Sequence, residues 1–232
     1  MDKKIIFEKM EKDYRECGEH CKRVANLVAT FCDFLCIDRV EAKEITTAAT
    51  FHDIGKLGIP AEICRKPSSL TDQEWYIMQQ HAQLSYAFLK GYGFSNSVCE
   101  IALHHHERWD GKGYAGHECG YKIPFGSRVI ALCDSYDAMT SQRCYHAPLS
   151  KEDALRDIAD NAGKMYDPEL TEQFALMDLI RHEYARCENL NKKLYKEYFE
   201  RISCITPEEY RIFYKDLSNI EMEDDLMDTE KK

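Results

Sequence analysis

The sequence predicts an all-α fold, and three observations support this prediction. Apolar side chains recur every three to four residues through most of the 232-residue chain, which is the spacing of a helix with one buried face. Serine, threonine and aspartate stand where these periodic segments begin, and glycine or proline follows where several of them end. We find no segment that alternates apolar and polar residues as a half-buried strand does, and no internal repeat.

Eight helices are expected from this pattern. Thr71 and Glu74 form a capping box at the start of the third helix, and Pro168 suits the first position of the seventh. Residues 108–124 contain four glycines and a proline, which predicts a structured loop. The helices are predicted over residues 3–36, 41–55, 71–90, 95–107 and 125–141, and from Ser150, Asp167 and Thr206 onward.

The length of the chain suits one domain with an extension. Domains typically hold about 150 residues, and a chain of this size buries enough surface to fold without a metal or a disulfide. We expect a single helical domain over residues 1–180 and a helical extension over 181–218. The remaining residues, 219–232, carry six carboxylates within ten positions, which predicts a disordered acidic tail.

The charge and hydropathy of the chain exclude several classes of partner. The formal net charge is -10, which argues against a protein that follows long nucleic acid through its phosphates. No apolar run approaches the roughly 20 residues that span a bilayer. The N-terminus lacks the apolar core of a secretory signal. We therefore expect a cytoplasmic protein without membrane contact.

The chain has eleven cysteines, an odd number, and no Cys-x-x-Cys pair. Without a secretory signal, this count does not indicate a disulfide framework. Cys17 with Cys21, and Cys32 with Cys36, could form a four-thiolate zinc site only if the long first helix reversed direction. We interpret them as small buried thiols.

Histidines and carboxylates are distributed over several predicted helices. His52 and Asp53 are adjacent, three histidines stand together at 104–106, and Asp134 lies in an apolar stretch. Taken singly, a buried histidine is more often a hydrogen-bonded core residue, and Asp134 could pair with Arg128. Together they indicate a multinuclear metal site in a helical bundle. Nitrogen and oxygen ligands without thiolate favour iron or manganese.

The stretch His104-His-His-Glu-Arg-Trp-Asp-Gly-Lys-Gly-Tyr-Ala115 resembles the signature of the HD-GYP subgroup of the HD phosphohydrolases, His-His-Glu-x-x-Asp-Gly-x-Gly-Tyr-Pro. The resemblance extends over about residues 12–175. It includes the His52-Asp53 doublet and the segment around Asp134. Similar proteins are helical phosphodiesterases of cyclic di-GMP that hold two or three iron or manganese ions.

The resemblance implies a set of site residues. Asp53 would bridge two metals, and a hydroxide held between them would be the nucleophile. Lys56 and Arg143 would contact substrate phosphate. Tyr114 and Trp109 either pack within the loop or face a guanine base, and the sequence leaves both alternatives open. The implied metal ligands are Glu16, His20, His52, Asp53, His81, His105, His106 and Asp134, with Glu16 at the position that supplies a third metal.

Two positions depart from the HD-GYP pattern. Ala115 replaces the proline of the signature, and Ser85 stands where many members have a glycine. Neither change removes an implied ligand. The expected function is therefore hydrolysis of a cyclic dinucleotide, and the expected partners are a second copy of the chain in a homodimer or a regulatory signalling protein. Regulation is expected to come from a partner, from metal or redox state, or from the C-terminal extension. The alternatives are a non-catalytic cyclic di-GMP receptor, a phosphohydrolase of another nucleotide such as cyclic GMP-AMP, and a helical di-iron oxygen carrier.

Overall fold

The computed structural model describes the backbone of residues 15–142 and 147–187, and the side chains of residues 17–142 and 147–180. These residues form eight α-helices and two 3-10 turns, Ile54–Gly58 and Gly120–Lys122, and no β-strand. The predicted all-α fold is therefore confirmed. The helices are α1 Arg15–Phe34, α2 Arg39–Phe51, α3 Ala61–Cys64, α4 Asp72–Gly91, α5 Asn96–Leu103, α6 Phe125–Thr140, α7 Lys151–Asp160 and α8 Pro168–Cys187.

Side-chain caps fix the starts of several helices. Thr71 accepts a hydrogen bond from the Glu74 backbone, and the Glu74 carboxylate accepts one from the Thr71 backbone, so the predicted capping box begins α4. Ser95 is the N-cap of α5 and Ser150 is the N-cap of α7, and the side chain of each accepts a hydrogen bond from a backbone N–H of the first turn. The periodic pattern and the caps thus place these helices where the sequence predicts them.

Two helices end earlier than predicted, and both ends matter for the site. The second helix ends at Phe51 instead of residue 55, and the fourth of the predicted helices ends at Leu103 instead of residue 107. The rings of His52 and His105 each hydrogen-bond a main-chain carbonyl three residues earlier, in the last turn of the helix. The last carbonyls of a helix have no partner within it, so these rings satisfy them as the chain turns away.

The core lies where α1 packs against α2 and α6 and where α4 packs against α5 and the 3-10 turn Ile54–Gly58. Phe31, Ile45, Leu89 and Ile130 are fully buried there. The ring of Phe31 meets the ring of Phe174 edge to face, with 5.2 Å between the centroids. These contacts hold rigid the helix ends that carry the histidines.

The chain divides into two compact units, Met1–Ala175 and Leu176–Lys232. Of the second unit, only residues 176–187 belong to the described backbone. The predicted extension beyond residue 187 and the acidic tail at 219–232 lie outside the described residues. None of the helices in the described ranges is both long enough and apolar enough to cross a bilayer.

Candidate metal centre

Five segments deliver the predicted ligands to one place. The helices α1, α4 and α6 contribute side chains from their interiors, while the turns after α2 and α5 contribute the adjacent pairs. Two groups of ligand atoms result, each with its members within 4.8 Å of one another. We name them the histidine-rich position, formed by Asp53, His81, His105 and His106, and the carboxylate-paired position, formed by His20, His52 and Asp134.

Backbone carbonyls orient three of the imidazole rings. The Nδ1 atoms of His52, His81 and His105 each lie 2.7 Å from the carbonyl oxygen three residues earlier. A carbonyl oxygen only accepts, so each Nδ1 must carry the proton and donate it. Each Nε2 then presents a lone pair, which is the form of histidine that binds metal.

These lone pairs converge without a proton between them. His81 Nε2 lies 3.3 Å from His105 Nε2, and also 3.3 Å from Asp53 Oδ1. His52 Nε2 and Asp53 Oδ1 are buried and make no hydrogen bond within the described part of the chain. Buried acceptors that face one another are costly unless a cation lies among them. The donor set therefore fits metal ions at this site.

The carboxylate-paired position has a different surrounding. His20 Nε2 lies 2.9 Å from Asp134 Oδ1, and His20 Nδ1 lies 2.6 Å from Asp137 Oδ2. Arg23 donates to both oxygens of Asp137, at 2.7 and 3.0 Å. A carboxylate on the outer nitrogen of a histidine fixes the orientation of its ring. Asp137 and Arg23 therefore hold His20 in place from α6 and α1.

The histidine pKa values shift down in the histidine-rich position and up at His20 in the carboxylate-paired position. Burial lowers the pKa of His106 to about 3, with the neighbouring His81 adding to the effect. Burial alone would also lower the pKa of His20, but hydrogen bonds to Asp134 and Asp137 outweigh it and raise that pKa to about 9. The first group thus favours neutral rings, and the second already carries its own ion pairs.

Asp53 lies between the two positions. Its Oδ1 faces His81, while its Oδ2 lies 3.5 Å from His52 Nε2 and 2.6 Å from Lys56 Nζ. Burial would raise the pKa of Asp53, but the Lys56 ammonium and the nearby histidines hold it well below its usual range. The carboxylate is therefore ionised, with one oxygen directed to each side of the centre.

The turn that carries Asp53 and Lys56 is pressed against α4. A Cβ on Gly55 would stand 1.9 Å from the His81 carbonyl oxygen, so only glycine fits there. Ser85 Oγ accepts from the Gly55 N–H at 2.9 Å and donates to the His52 carbonyl at 2.6 Å. Ser85, the departure from the family glycine, is thus a hydrogen-bond link between α4 and the His52-Asp53 turn.

Two aromatic residues of the glycine-rich loop, Tyr114 and Trp109, have different surroundings. The ring of Tyr114 lies 4.8 Å from the ring of His106, at the metal centre. Trp109 packs instead against Tyr121 at 5.0 Å, with the Arg128 guanidinium above it. The structure therefore gives Trp109 the packing role that the sequence left open, and it leaves Tyr114 facing the site.

Ala115 follows Tyr114 with a backbone φ of 101°. Proline is held near -65° by its ring, so the proline of the HD-GYP signature could not adopt this conformation. The loop therefore follows a path here that the signature residue would exclude.

The chain matches one known protein family over most of its length. The family model described as HD domain matches residues 5–170, which is most of the chain. The chain belongs to the HD domain family. This family is metal-dependent, in agreement with the cluster of histidines and aspartates.

Two curated relatives have high identity to this HD domain chain. A cyclic di-GMP phosphodiesterase of Thermotoga maritima is 40% identical over 186 residues, which cover 75% of this chain and 50% of the relative. A 3'3'-cGAMP-specific phosphodiesterase of Vibrio cholerae is 34% identical over 165 residues, which cover 70% of this chain and 32% of the relative. The chain thus spans half or less of the length of these relatives.

Solved structures share the fold of this HD domain at low sequence identity. A cyclic GMP-AMP specific phosphodiesterase of V. cholerae superposes with a TM-score of 0.56 at 18% identity, covering 83% of this chain and 50% of that one. The HD domain of the phosphodiesterase PgpH of L. monocytogenes gives 0.54 at 17% identity, covering 77% and 98%. At such identities the likeness supports the fold, and the resemblance to HD-GYP proteins is confirmed by the sequence relatives.

The structure brings together seven of the eight predicted ligands of this HD domain, as the two groups show. The side chain of Glu16 and all of Arg143 lie outside the described residues. Arg128 pairs with Asp167, so the alternative in which it neutralises Asp134 is wrong.

The histidines left out of the predicted site have ordinary surroundings where they are described. His104 lies 3.5 Å from carboxylate oxygens of Glu100 and Glu107, and His117 is exposed. The side chains of His146 and His182 lie outside the described residues.

Three residues near the centre are not among those predicted from the sequence. Asp137 stands three residues after Asp134, and Arg23 stands three residues after His20, so helical spacing could have indicated both. Trp75 gave no such signal. It is 47% exposed, and its ring lies 6.0 Å from that of Tyr114.

Proposed function

We propose that this chain is a metal-dependent phosphodiesterase of a cyclic dinucleotide, with cyclic di-GMP as the first candidate substrate and linear dinucleotide, GMP or both as product. One observation carries the proposal. The lone pairs of His81 and His105 face each other at 3.3 Å beside the Asp53 carboxylate, with the Lys56 ammonium on the other oxygen of that carboxylate. This arrangement suits cations and phosphate together.

The two positions would each hold one cation. Asp53, His81, His105 and His106 would hold the first, and His20, His52 and Asp134 the second, with Asp53 shared between them. Oxygen and nitrogen donors of this kind suit iron or manganese. When bound, such a pair lowers the pKa of the attacking water and stabilises charge on the phosphodiester oxygens.

Lys56 would bind substrate phosphate once cations occupy the centre. In the structure its ammonium neutralises Asp53 at 2.6 Å. Bound cations would take over that charge and leave the ammonium free to face an oxyanion. The side chain is 29% exposed, so it can reach a ligand at the mouth of the site. A charge held ready in this way stabilises the transition state of phosphoryl transfer.

Tyr114 and Trp75 would receive a nucleobase. Their rings meet edge to face, and Trp75 presents part of its surface to solvent. Aromatic faces bind the unstacked bases of nucleotides. Arg143, whose structure is outside the described residues, would add a second phosphate contact by its resemblance to the family position.

Incubation of the metal-loaded full chain with a panel of nucleotides tests the proposal. The panel contains cyclic di-GMP, 3'3'-cGAMP, cyclic di-AMP and the corresponding linear dinucleotides, and chromatography follows the products. We expect a cyclic dinucleotide to be converted only when iron or manganese is present. Binding of a cyclic dinucleotide without turnover by the loaded protein would overturn the proposal and favour a receptor.

A second candidate substrate is 3'3'-cGAMP. The specific reason is that a relative 34% identical to this chain carries that specificity in its name. Faster turnover of 3'3'-cGAMP than of cyclic di-GMP in the same panel would favour it. A homodimer, a regulatory signalling partner and a cytoplasmic location stay predictions from the sequence.

A further inference from the structure

A pair of thiols lies beside Asp53, apart from the two positions described above. Cys17 and Cys21 are one turn apart on α1, so their side chains share one face of that helix. Cys17 Sγ is 3.8 Å from Asp53 Oδ2. The two sulfur atoms and a carboxylate oxygen of Asp53 all lie within 4.8 Å of one another.

The spacing between Cys17 and Asp53 is close to that of a tetrahedral thiolate site. With bonds of about 2.3 Å to sulfur and 2.0 Å to oxygen, a tetrahedral zinc ion holds sulfur and oxygen ligands about 3.5 Å apart. The observed distance between Cys17 Sγ and Asp53 Oδ2 is 3.8 Å. Small side-chain rotations would therefore complete the geometry.

Burial distinguishes this pair from an exposed cluster. Cys21 and Asp53 are buried and Cys17 is half-buried, so a cation here would lose most of its water while an entry path remains at Cys17. The four-thiolate alternative fails, because Cys32 and Cys36 join no candidate group in the described part of the chain. Cys17 and Cys21 lie beside the Asp53 carboxylate instead.

We propose that Cys17, Cys21 and Asp53 form an additional metal position that takes a thiophilic divalent cation such as Zn²⁺. Two thiolates and a carboxylate leave a fourth position open for water, as in other three-ligand zinc sites. The soft sulfur ligands separate its preference from that of the histidine and carboxylate positions, which suit iron or manganese.

Occupancy of this position competes with Lys56. The Lys56 ammonium lies 2.6 Å from Asp53 Oδ2, the same oxygen that Cys17 approaches. Two cations cannot share one carboxylate oxygen at contact distance without strong repulsion. A zinc ion at the thiol position therefore displaces Lys56 from Asp53 and draws on a carboxylate that the metal centre also uses. If the chain has the phosphodiesterase activity proposed above, zinc at this position would therefore inhibit it.

Cadmium titration of the full chain tests the position directly. Cd²⁺ bound to thiolate gives an ultraviolet charge-transfer band that Cd²⁺ bound to histidine or carboxylate does not give. We expect the wild-type protein to develop this band with one Cd²⁺. Cys17→Ser and Cys21→Ser should each lose it, while the buried-thiol control Cys99→Ser should keep it. Lys56→Met should lower the Cd²⁺ concentration needed for half-saturation.

The outcomes separate this position from the phosphodiesterase proposal, because the band is read without hydrolysis. A wild-type protein without the band, or a band that survives undiminished in either Cys17→Ser or Cys21→Ser, overturns the thiol position alone. Circular dichroism confirms that each variant is folded. Glu16→Gln should keep the band, since that carboxylate is not one of the three ligands.

Discussion

The two halves of the metal centre use the same residue types and stabilise them differently. In the histidine-rich position, main-chain carbonyls orient His81 and His105, and burial disfavours their protonated forms. In the carboxylate-paired position, side chains orient His20, and two carboxylates offset its charge. One half is therefore fixed by backbone that substitution cannot remove. In the carboxylate-paired position a main-chain carbonyl also orients His52, whereas His20 depends on Asp137 and Arg23, which substitution can change.

This difference suggests how the centre fills. In the histidine-rich position the lone pairs of His81 and His105 face each other, so a cation there relieves an existing cost. In the carboxylate-paired position His20 already contacts Asp134 and Asp137, so a cation there must replace the contact between His20 and Asp134, while His52 Nε2 is an acceptor that the cation can use. Asp53 joins the halves, because each of its oxygens faces one of them.

Asp53→Ala should have the largest effect, because it removes an oxygen from both halves at once. We expect turnover to be abolished and bound iron or manganese to fall sharply. The helical circular dichroism should be unchanged, since the apolar core does not need the carboxylate to fold. The exposed control Asp157→Ala should keep both metal and activity. Retained turnover in Asp53→Ala would show that the His52-Asp53 doublet is not the catalytic centre.

Lys56→Ala should reduce turnover without emptying either half. Loss of one preorganised charge contact typically costs about 3 to 4 kcal/mol, or roughly 100- to 1000-fold in rate. Metal content, measured by elemental analysis on the same preparation, should stay near the wild-type value. Lys112→Ala, an exposed lysine of the glycine-rich loop, is the matched control. Equal loss of metal and activity would make Lys56 a structural residue.

Asp137→Ala should weaken metal binding in the carboxylate-paired half and leave the histidine-rich half unchanged. It removes the partner of His20 Nδ1 and the acceptor of Arg23. Loss of such an outer contact typically weakens metal binding about 10- to 100-fold. Under a limiting chelator we expect the ion of the carboxylate-paired position to be lost and the ion of the histidine-rich position to be retained. Loss of both ions together, or of neither, would show that Asp137 does not act on one half alone.

Glu16→Gln should remove about one metal equivalent and leave two, because the carboxylate stands one turn before His20 and can add a hard ligand for a third ion. Turnover should be reduced and not abolished. Metal counts on wild type and variant, prepared side by side, are the measurement. Identical counts would indicate a binuclear centre, with Glu16 an ordinary residue of the helix surface.

The sequence predicts the ligands of this centre better than their supports. His52-Asp53 and the three adjacent histidines form local patterns, and the Thr71 capping box marks its helix without tertiary information. The sequence predicts the ends of α2 and α5 four residues too late. The rings of His52 and His105 satisfy the last carbonyls of these helices, and the apolar pattern does not show that a side chain ends the helix in this way. The pairing of His20 with Asp137 spans 117 positions, a contact that only the packing of α1 on α6 creates.

The roles of the loop aromatics could not be predicted for a similar reason. Tyr114 and Trp109 lie five positions apart in the same glycine-rich segment. Which of them faces the centre depends on the path of the loop, and that path includes the positive φ of Ala115. No local pattern of apolar or charged residues reports a backbone angle of this kind.

Ala115→Gly should have the smallest effect, and it tests the loop that brings Tyr114 to the histidine-rich half. At a φ of 101° the alanine Cβ is strained, and such conformations cost of order 1 kcal/mol or more in residues other than glycine. Glycine relieves this strain but gains freedom in the unfolded chain, which costs about 0.4 to 1 kcal/mol. We therefore expect the free energy of unfolding to stay within about 1 kcal/mol of wild type or to rise. Ala147→Gly, at a described position whose φ is not positive, carries only the entropic cost and should be destabilised. Urea denaturation of both variants makes the comparison, and an equal loss of stability in the two would mean that Ala115 is not strained.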